Sequence, residues 1–445
     1  MNYFKEGSKL NKDRLIRLRT PRGTGDYLPE ETAKWRLVEE TFRKTFETWG
    51  YREVRTPTFE FLDTLSTGVG KELEDSMFKF KDKKGRWLAL RAEMTTPIAR
   101  VARTKLLQSP KPLRLYYIAN MFRYDEPQAG RKREFWHAGI ELIGIGVPRA
   151  DAEVIALMIQ SLKDIGLKNV RVRIGNVGIF KEIIRQANLS RGLTDKIHVC
   201  IDKEDREGLS EALDDPAVDN KTRELLLLLP ELKGDVNVTD KLTGLALGPE
   251  IDGYVKDLKG ILKRLEYYDV AEKELIVDLG IIRGLEYYTD TVFEGYVPEL
   301  GVAVAAGGRY DELVQEFGGD AVPATGFAIG VDRCIDSLKK QRHTFHARPP
   351  SKVFVLAITD ELERDGIKIA SLLRGAGIPA ETNVSDWDLS RSLSYASRVG
   401  IPYAVILGEK ELKKSSVIVR DMKLGEQSEV KISKLVSFFE NEEKH

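Results

Sequence analysis

Residues 278 to 297, "DLGIIRGLEYYTDTVFEGYV", combine a guanidinium, carboxylates and paired tyrosines in one short stretch. Arg283 is flanked by Asp278 and Glu286, and Tyr287 and Tyr288 follow within five residues. Ile, Val, Tyr, Phe and Thr dominate, so the letters from 281 to 297 predict a strand. Spacing alone leaves two readings for Arg283: a structural ion pair with Asp278 or Glu286, or a cation presented to an anionic ligand. Arg283 and Tyr288 would face opposite sides of a regular strand. If both serve one ligand, the backbone breaks between them, and Gly284 permits that.

Other arginines repeat the theme. "AAGGRYDELV" sets Gly307 and Gly308 beside Arg309 in an expected strand-to-helix turn, and "GFAIGVDR" puts small residues before a helix carrying Arg333. A protruding guanidinium beside close-packed backbone suits phosphate oxygens. Gly-rich turns are also common as plain turns. Arg123 falls on a predicted strand, and Arg131, Lys132 and Arg133 lie in the charged loop after it. That loop reads either as a solvated basic hairpin or as a phosphate contact. The motif G-x-x-x-x-G-K-[ST] is absent, so phosphate handling would rest on side chains.

The elements that must position these groups are legible in outline. Residues 29 to 50 place Trp35, Val38, Phe42, Phe46 and Trp49 on one helical face, with Gly50 as a stop. "YREVRTPTFEF" alternates, but Pro57 demotes it to an edge or interface strand. Residues 77 to 95 read as a hairpin around Lys84-Gly85. Residues 113 to 146 read as two strands joined by the charged loop. A helix (150 to 164) and the strand "VRVRIGNVG" follow. From about 180 to 268 the texture turns helical and poor in aromatics, so a helical module interrupts a β-rich domain. Residues 341 to 350 have linker composition. Beyond them strands and helices alternate as in a small α/β domain.

Bulk properties agree with two or three domains in 445 residues. Lys plus Arg and Asp plus Glu are 70 each, so net charge indicates no partner and any nucleic-acid site is a local patch. Cys200 and Cys334 form no C-x-x-C, which argues against a disulfide framework or cysteine-rich zinc site and suits a reducing cytoplasm. The stretch "MNYFKEGSKLNKDRLIRLRT" lacks the apolar core expected of a signal peptide, and no apolar run reaches the roughly 18 residues of a membrane helix.

The ordered set "PRGTGDYLP" (21 to 29), "RAEMT" (91 to 95), "MFRYDEPQAGRKREF" (121 to 135), "IIRGLEYYTDTVFE" (281 to 294), "AAGGRYDEL" (305 to 313) and "GFAIGVDR" (326 to 333) resembles histidyl-tRNA synthetase, a class II aminoacyl-tRNA synthetase. The resemblance spans nearly the whole chain, and "RGLEYY" and "AGGRYD" are its most specific parts. It implies an α+β fold: a class II antiparallel sheet flanked by helices (1 to 180 and 269 to 340), a helical insertion (181 to 268), and a C-terminal α/β anticodon-binding domain (351 to 445).

By the same resemblance, Arg123 and Arg283 hold the α-phosphate of ATP. Arg123, Asp125, Arg131, Phe135 and Arg333 bind the nucleotide, with Mg2+ on its outer phosphates. Glu93, Thr95, His137, Glu141, Tyr287 and Tyr288 bind L-histidine, and no metal site on the protein is implied. Arg131, Lys132 and Arg133 meet the acceptor end of tRNA(His). Arg391 and Tyr395 are the anticodon candidates, with core packing as the other reading of Tyr395. Pro57 and the helix before it match the segment that forms a homodimer interface. His137 stands where the family often has glutamine, and Asp125 where it usually has glutamate. The competing reading is a non-catalytic relative, the histidine-binding regulatory subunit of ATP phosphoribosyltransferase. The presence of the C-terminal domain and of all three arginines weighs against it.

Overall fold

The computed structural model describes residues 18–125, 132–242, 248–282, 286–345 and 351–441. The chain divides into two compact units at residue 345.

The first helix, Pro29–Thr48, starts on Pro29, whose missing N–H costs a first turn nothing. It buries Trp35, Val38, Phe42 and Phe46 along one face. Trp49 lies just past its end and stacks on Tyr268, ring centroids 5.7 Å apart. Pro57 then breaks the extended stretch in two. β1 (Arg52–Glu53) pairs parallel with the large sheet, whereas β2 (Phe59–Phe61) joins a small sheet with β3 (Lys79–Lys81) and β4 (Trp87–Leu90). Gly85, at φ +81, turns the expected hairpin between β3 and β4.

The large sheet holds nine strands among the described residues. They are β1, β5 (Leu113–Phe122), β6 (Glu134–Ile143), β7 (Arg171–Asn176), β8 (Lys233–Gly234), β9 (Leu275–Asp278), β10 (Thr291–Tyr296), β11 (Ala303–Arg309) and β12 (Ala324–Gly330). Their spatial order is β1-β5-β6-β12-β11-β10-β7-β9-β8. The central run from β5 to β7 is antiparallel throughout.

Alternation decides what each face carries. In β12, Gly326, Ala328 and Gly330 share one face while Phe327 and Ile329 enter the core on the other. Register places Gly326 opposite Glu141 and Gly308, and Ala328 opposite Gly139 and Ala306. One face of the central strands is therefore a floor of small residues. The other packs on the helices Pro29–Thr48 and Pro148–Asp164, with the Phe327 ring 6.0 Å from Phe46.

Between residues 177 and 267 lie the helices Val177–Ala187, Arg191–Asp202, Arg206–Leu213, Asn220–Leu228 and Pro249–Tyr267. Their buried residues, among them Ile197, Leu209, Leu226 and Leu258, join the same hydrophobic cluster as the sheet. In the second unit β13 (Val353–Ala357) lies between β14 (Ala380–Thr382) and β15 (Tyr403–Leu407), all parallel. β16 (Ser416–Asp421) and β17 (Gln427–Lys431) continue that sheet antiparallel.

Two expectations fail locally. The strand read from 281 to 297 is regular only from Thr291 to Tyr296, and Tyr287 and Tyr288 precede it. Composition supplied strand letters, but the backbone before Thr291 bonds irregularly: Thr289 N donates to Arg309 O at 2.8 Å. Arg309 is no phosphate ligand either, and no helix directly follows it. Its parity puts it on the core face opposite Thr325. There Nη2 meets Asp151 Oδ2 at 2.7 Å and Nη1 meets Asp311 Oδ1 at 3.0 Å, with the guanidinium almost wholly buried. Removing one partner of such a pair strands a buried charge. Arg309→Met should lower unfolding stability by roughly 3–5 kcal/mol in urea denaturation. A loss below about 1 kcal/mol would show that the pair is no keystone.

Candidate active site

The small-residue floor opens into a cavity of about 700 Å³. Glu93, Thr95, Arg123, Asp125, Phe135, His137, Tyr287, Tyr288 and Arg333 line it. These residues come from segments more than 200 positions apart. Glu141, 1% exposed, is not in the lining itself but is bonded to it through Thr95.

The glycines explain how polar groups fit on a packed sheet. A Cβ on Gly326 would run into the Glu141 carboxylate, one on Gly308 would lie 2.9 Å from the Tyr288 ring, and one on Gly139 would lie 2.5 Å from the Tyr117 hydroxyl. Each absent side chain is thus the space occupied by a neighbour's functional group.

Two of the carboxyl groups at the cavity, Glu93 and Glu141, are buried. Glu93 accepts from the backbone N–H of Thr95 and from that of Thr96 at 2.9 Å, at the start of the helix Thr95–Thr104. Orphan N–H groups at a helix N-terminus favour negative charge there. Burial nonetheless raises the Glu93 carboxyl above its ordinary range, against the pull of those hydrogen bonds and of Arg123. Thr95 Oγ1 donates to Glu141 Oε1 at 2.8 Å, and the Tyr310 hydroxyl donates to Oε2. Burial pushes Glu141 up to about 8, with those donors opposing and Glu93 adding to the rise.

Two arginines line the same cavity. Arg123 donates through Nε to Ala92 O at 2.9 Å, and its guanidinium lies 5.4 Å from the centre of the Phe135 ring. Arg333, in the first turn of the helix Val331–Lys340, donates to Ala303 O at 2.6 Å. His137 lies between these groups, its ring 5.0 Å from Phe135. Burial, then the charges of Arg123 and Arg333, push its imidazole down to about 3. It is neutral at physiological pH, and its buried Nδ1 has no hydrogen-bond partner. A neutral imidazole there can accept where a glutamine carbonyl would.

Arg283 and Arg131 lie outside the described residues. The described flanks of Arg283 are held by helices of the 177–267 stretch. His198 Nε2 is 3.1 Å from Ile282 O, and Lys181 Nζ donates to Tyr288 O at 2.6 Å. Lys132, expected among the tRNA contacts, is turned inward to Asp332 Oδ1 at 2.7 Å and the Tyr27 hydroxyl at 2.8 Å. Arg133 lies 4.0 Å over the Tyr124 ring and braces Asp125 O at 3.2 Å.

In the second unit, Arg391 is exposed and 5.2 Å over Trp387, at the start of the helix Leu389–Arg398. Tyr395 packs between Phe354 and Trp387, and its hydroxyl donates to Glu381 at 3.1 Å. Sequence reading missed Tyr117, Tyr310, Lys181, His198 and Asp332. Tyr310 and Asp332 carried a local signal, as the neighbours of Arg309 in "GGRYD" and of Arg333 in "GVDR".

An antiparallel sheet floored by small residues, with buried carboxyls and arginines at one cavity, followed by a separate C-terminal sheet unit, is the architecture of a class II aminoacyl-tRNA synthetase. Comparison with known proteins narrows this. Residues 23–334 match the family model of histidyl-tRNA synthetase, and residues 352–442 match that of an anticodon binding domain. The chain belongs to the histidyl-tRNA synthetase family, whose reaction is the ATP-dependent ligation of histidine to tRNA. It is 40% identical to the histidine–tRNA ligase of Pyrococcus furiosus over 428 residues, 94% of this chain and 98% of that protein. The crystal structure of histidyl-tRNA synthetase from a Nostoc species superposes with a TM-score of 0.80 at 26% identity, covering 95% of this chain and 99% of that one. A Bacillus halodurans structure described as an ATP phosphoribosyltransferase regulatory subunit/histidyl-tRNA synthetase gives 0.73 at 28% identity, covering 85% of this chain and 96% of that one.

The raised Glu141 carboxyl has a measurable signature. The folded site keeps this proton up to about pH 8, whereas the unfolded chain releases it near 4.5. Its contribution to stability is therefore full below the unfolded value and is lost as pH rises through the folded one. Without ligands, wild type should lose stability relative to Glu141→Gln by about 1.4 kcal/mol per pH unit between about pH 5 and 8. Denaturant unfolding of both proteins across that range is the check; parallel curves would mean that Glu141 is ionised in the empty site.

Proposed function

We propose that the 700 Å³ cavity activates L-histidine on ATP and then passes the acyl group to tRNA(His). The observation that carries this is a single cavity lined by Glu93, Arg123 and Arg333, with the buried Glu141 carboxyl bonded to its wall at Thr95. Such a cavity offers partners to a zwitterion and to a triphosphate together.

Glu93, Thr95 and the neutral His137 offer acceptors to the substrate ammonium. Glu141 and Tyr288, with Tyr287 packed against it at 5.1 Å between ring centroids, read the imidazole. One imidazole nitrogen donates and the other accepts, which suits a carboxyl–phenol pair. A pocket with buried polar groups rejects side chains that leave those groups unpaired. One carboxylate oxygen of histidine attacks the α-phosphorus, the bond to the pyrophosphate oxygen breaks, and histidyl-adenylate forms. Arg123 and Arg283 carry the negative charge that gathers on the α-phosphate oxygens in that step. Arg333 and Phe135 clamp the nucleotide, with Asp125 at the adenine end and Arg131 toward the phosphates. A hydroxyl of the terminal adenosine of tRNA then takes the acyl group and releases AMP.

Magnesium fits as a passenger of the nucleotide. No cluster of three potential ligands exists among the described residues, and magnesium favours phosphate oxygens and water with few protein carboxylates. Bound there, it neutralises charge on the outer phosphates.

The basic loop around Arg131 and Arg133 meets the acceptor end, and phosphate contacts of this kind give affinity rather than sequence reading. Residues 181 to 268 close over the acceptor arm. Residues 351 to 445 read the anticodon through Arg391 and Trp387, with Tyr395 supporting that indole. We also propose a homodimer. The small sheet turns Phe59, Phe61 and Phe80 outward, at 52%, 45% and 39% exposed, a surface that a second copy would cover. The cytoplasm is the proposed compartment, and both cysteines are buried free thiols. The regulatory-subunit reading has less support, because Arg123 and Arg333 both line the cavity and a second unit follows the first.

ATP–pyrophosphate exchange with each of the twenty amino acids and no tRNA tests the reading. Exchange with histidine alone is expected, and Arg123→Ala and Arg283→Ala should each fold normally yet lose at least ~10²-fold. Folded protein that binds histidine but exchanges nothing would favour the regulatory relative. Light scattering at micromolar concentration should give about twice the 50.3 kDa chain mass, and a monomer would remove the dimer.

A further inference from the structure

β12 stops at Gly330, opposite His137, and the chain turns into the helix Val331–Lys340. The next amide along β6, that of Trp136, thereby loses its strand partner on that side. A buried N–H needs an acceptor, and here a side chain supplies it: Asp332 Oδ2 accepts from Trp136 N at 2.9 Å. The other oxygen of the same carboxylate accepts from Lys132 Nζ at 2.7 Å and from the Tyr27 hydroxyl at 3.3 Å. The Lys132 ammonium also lies 4.9 Å over the Tyr27 ring and 5.7 Å over Trp35. One residue further on, Arg133 N donates to Gly23 O at 2.8 Å. Gly23 has φ +85, and a Cβ there would lie 2.6 Å from Arg133 Cγ, so close approach of this strap requires glycine.

One carboxylate thus ties together the "PRGTGDY" segment, the outgoing limb of the charged loop, the end of β6 and the helix turn that bears Arg333. Its neighbour in sequence is the nucleotide clamp. The Asp332 side chain is 8% exposed and that of Lys132 39%, so the carboxylate is sheltered and its partner partly wet. Burial opposes the charge on Lys132, yet the hydrogen bonds to Asp332 and Tyr27 raise its pKa above the ordinary value. The ammonium is accordingly held, not free to follow a phosphate backbone.

We infer that Asp332, Lys132 and Tyr27 form a positioning cluster that sets the Arg333 clamp and the loop exit for ATP in the first half-reaction, and that Lys132 works there rather than as a tRNA contact. This rests on the proposed adenylate-forming reaction.

Lys132→Met, Asp332→Asn and the double variant, as full-length protein, test the cluster by exchange kinetics, by calorimetric titration with ATP, and by tRNA charging. Each single variant should raise the KM and Kd for ATP roughly 5–10-fold, the scale of one ordinary net hydrogen bond, since the cluster acts on the clamp indirectly. The KM for histidine should stay within twofold. The double variant should be no worse than the poorer single one, and Lys132→Arg should recover most of the loss. Unchanged ATP affinity in both single variants would overturn the inference. So would a Lys132→Met defect confined to the KM for tRNA. A uniform fall in activity with a lowered unfolding midpoint would reduce the cluster to scaffolding and also overturn it. If wild type shows no histidine-dependent exchange, the proposed reaction fails first, and calorimetric ATP affinity alone then decides the role of the cluster.

Discussion

Desolvation is the constraint on which this site is built. Glu93, Glu141, Arg123 and His137 are all driven toward their neutral forms, and in each the leading cause is burial. A charge removed from water costs several kcal/mol unless partners replace the solvent. The surrounding structure supplies partners in part: helix amides for Glu93, Thr95 and Tyr310 for Glu141, the Ala92 carbonyl for Arg123. The buried Nδ1 of His137 is left unmet, and on the proposed reading it is capacity for substrate. Low local dielectric then strengthens the contacts a bound zwitterion and triphosphate would make.

Two faces of one sheet divide the labour. "GFAIG" alternates small and large, so Gly326, Ala328 and Gly330 leave room above while Phe327 and Ile329 fill the core below. "GGRYD" works the same way over adjacent residues. Arg309 is spent beneath the sheet on Asp151, and Tyr310 rises to Glu141. A buried ion pair below and a buried carboxyl above are therefore held by consecutive residues. The stiffness of the lower face helps fix the geometry of the upper one.

Local patterns carried most of the architecture. The apolar face of the first helix from Trp35 to Phe46, the proline that splits β1 from β2, the β5–β6 pair and the alternation beyond residue 350 all follow from periodicity and turn residues. The site was legible where a motif was continuous, as in "RAEMT" and "GFAIGVDR". It was illegible where register or distance decided. Arg309 read as a candidate phosphate ligand and Tyr310 carried no assignment, because sheet register decides which of the two reaches Glu141. Tyr287 and Tyr288 read as strand because composition cannot show that the carbonyl of Tyr288 is pulled onto Lys181, 107 residues away. Lys132 read as a solvated cation because Asp332 is 200 residues distant.

The occupied glycine floor also limits how such a pocket can diverge. The Glu141 carboxylate fills the space where any side chain at position 326 would begin, and Tyr288 does the same above position 308. A single change at either glycine meets a clash before it meets a new substrate. On the proposed reading of Glu141, a lineage drifting toward another amino acid would have to give up the carboxylate first, passing through a form that reads no side chain well. The pocket is guarded by the order in which its parts can be replaced.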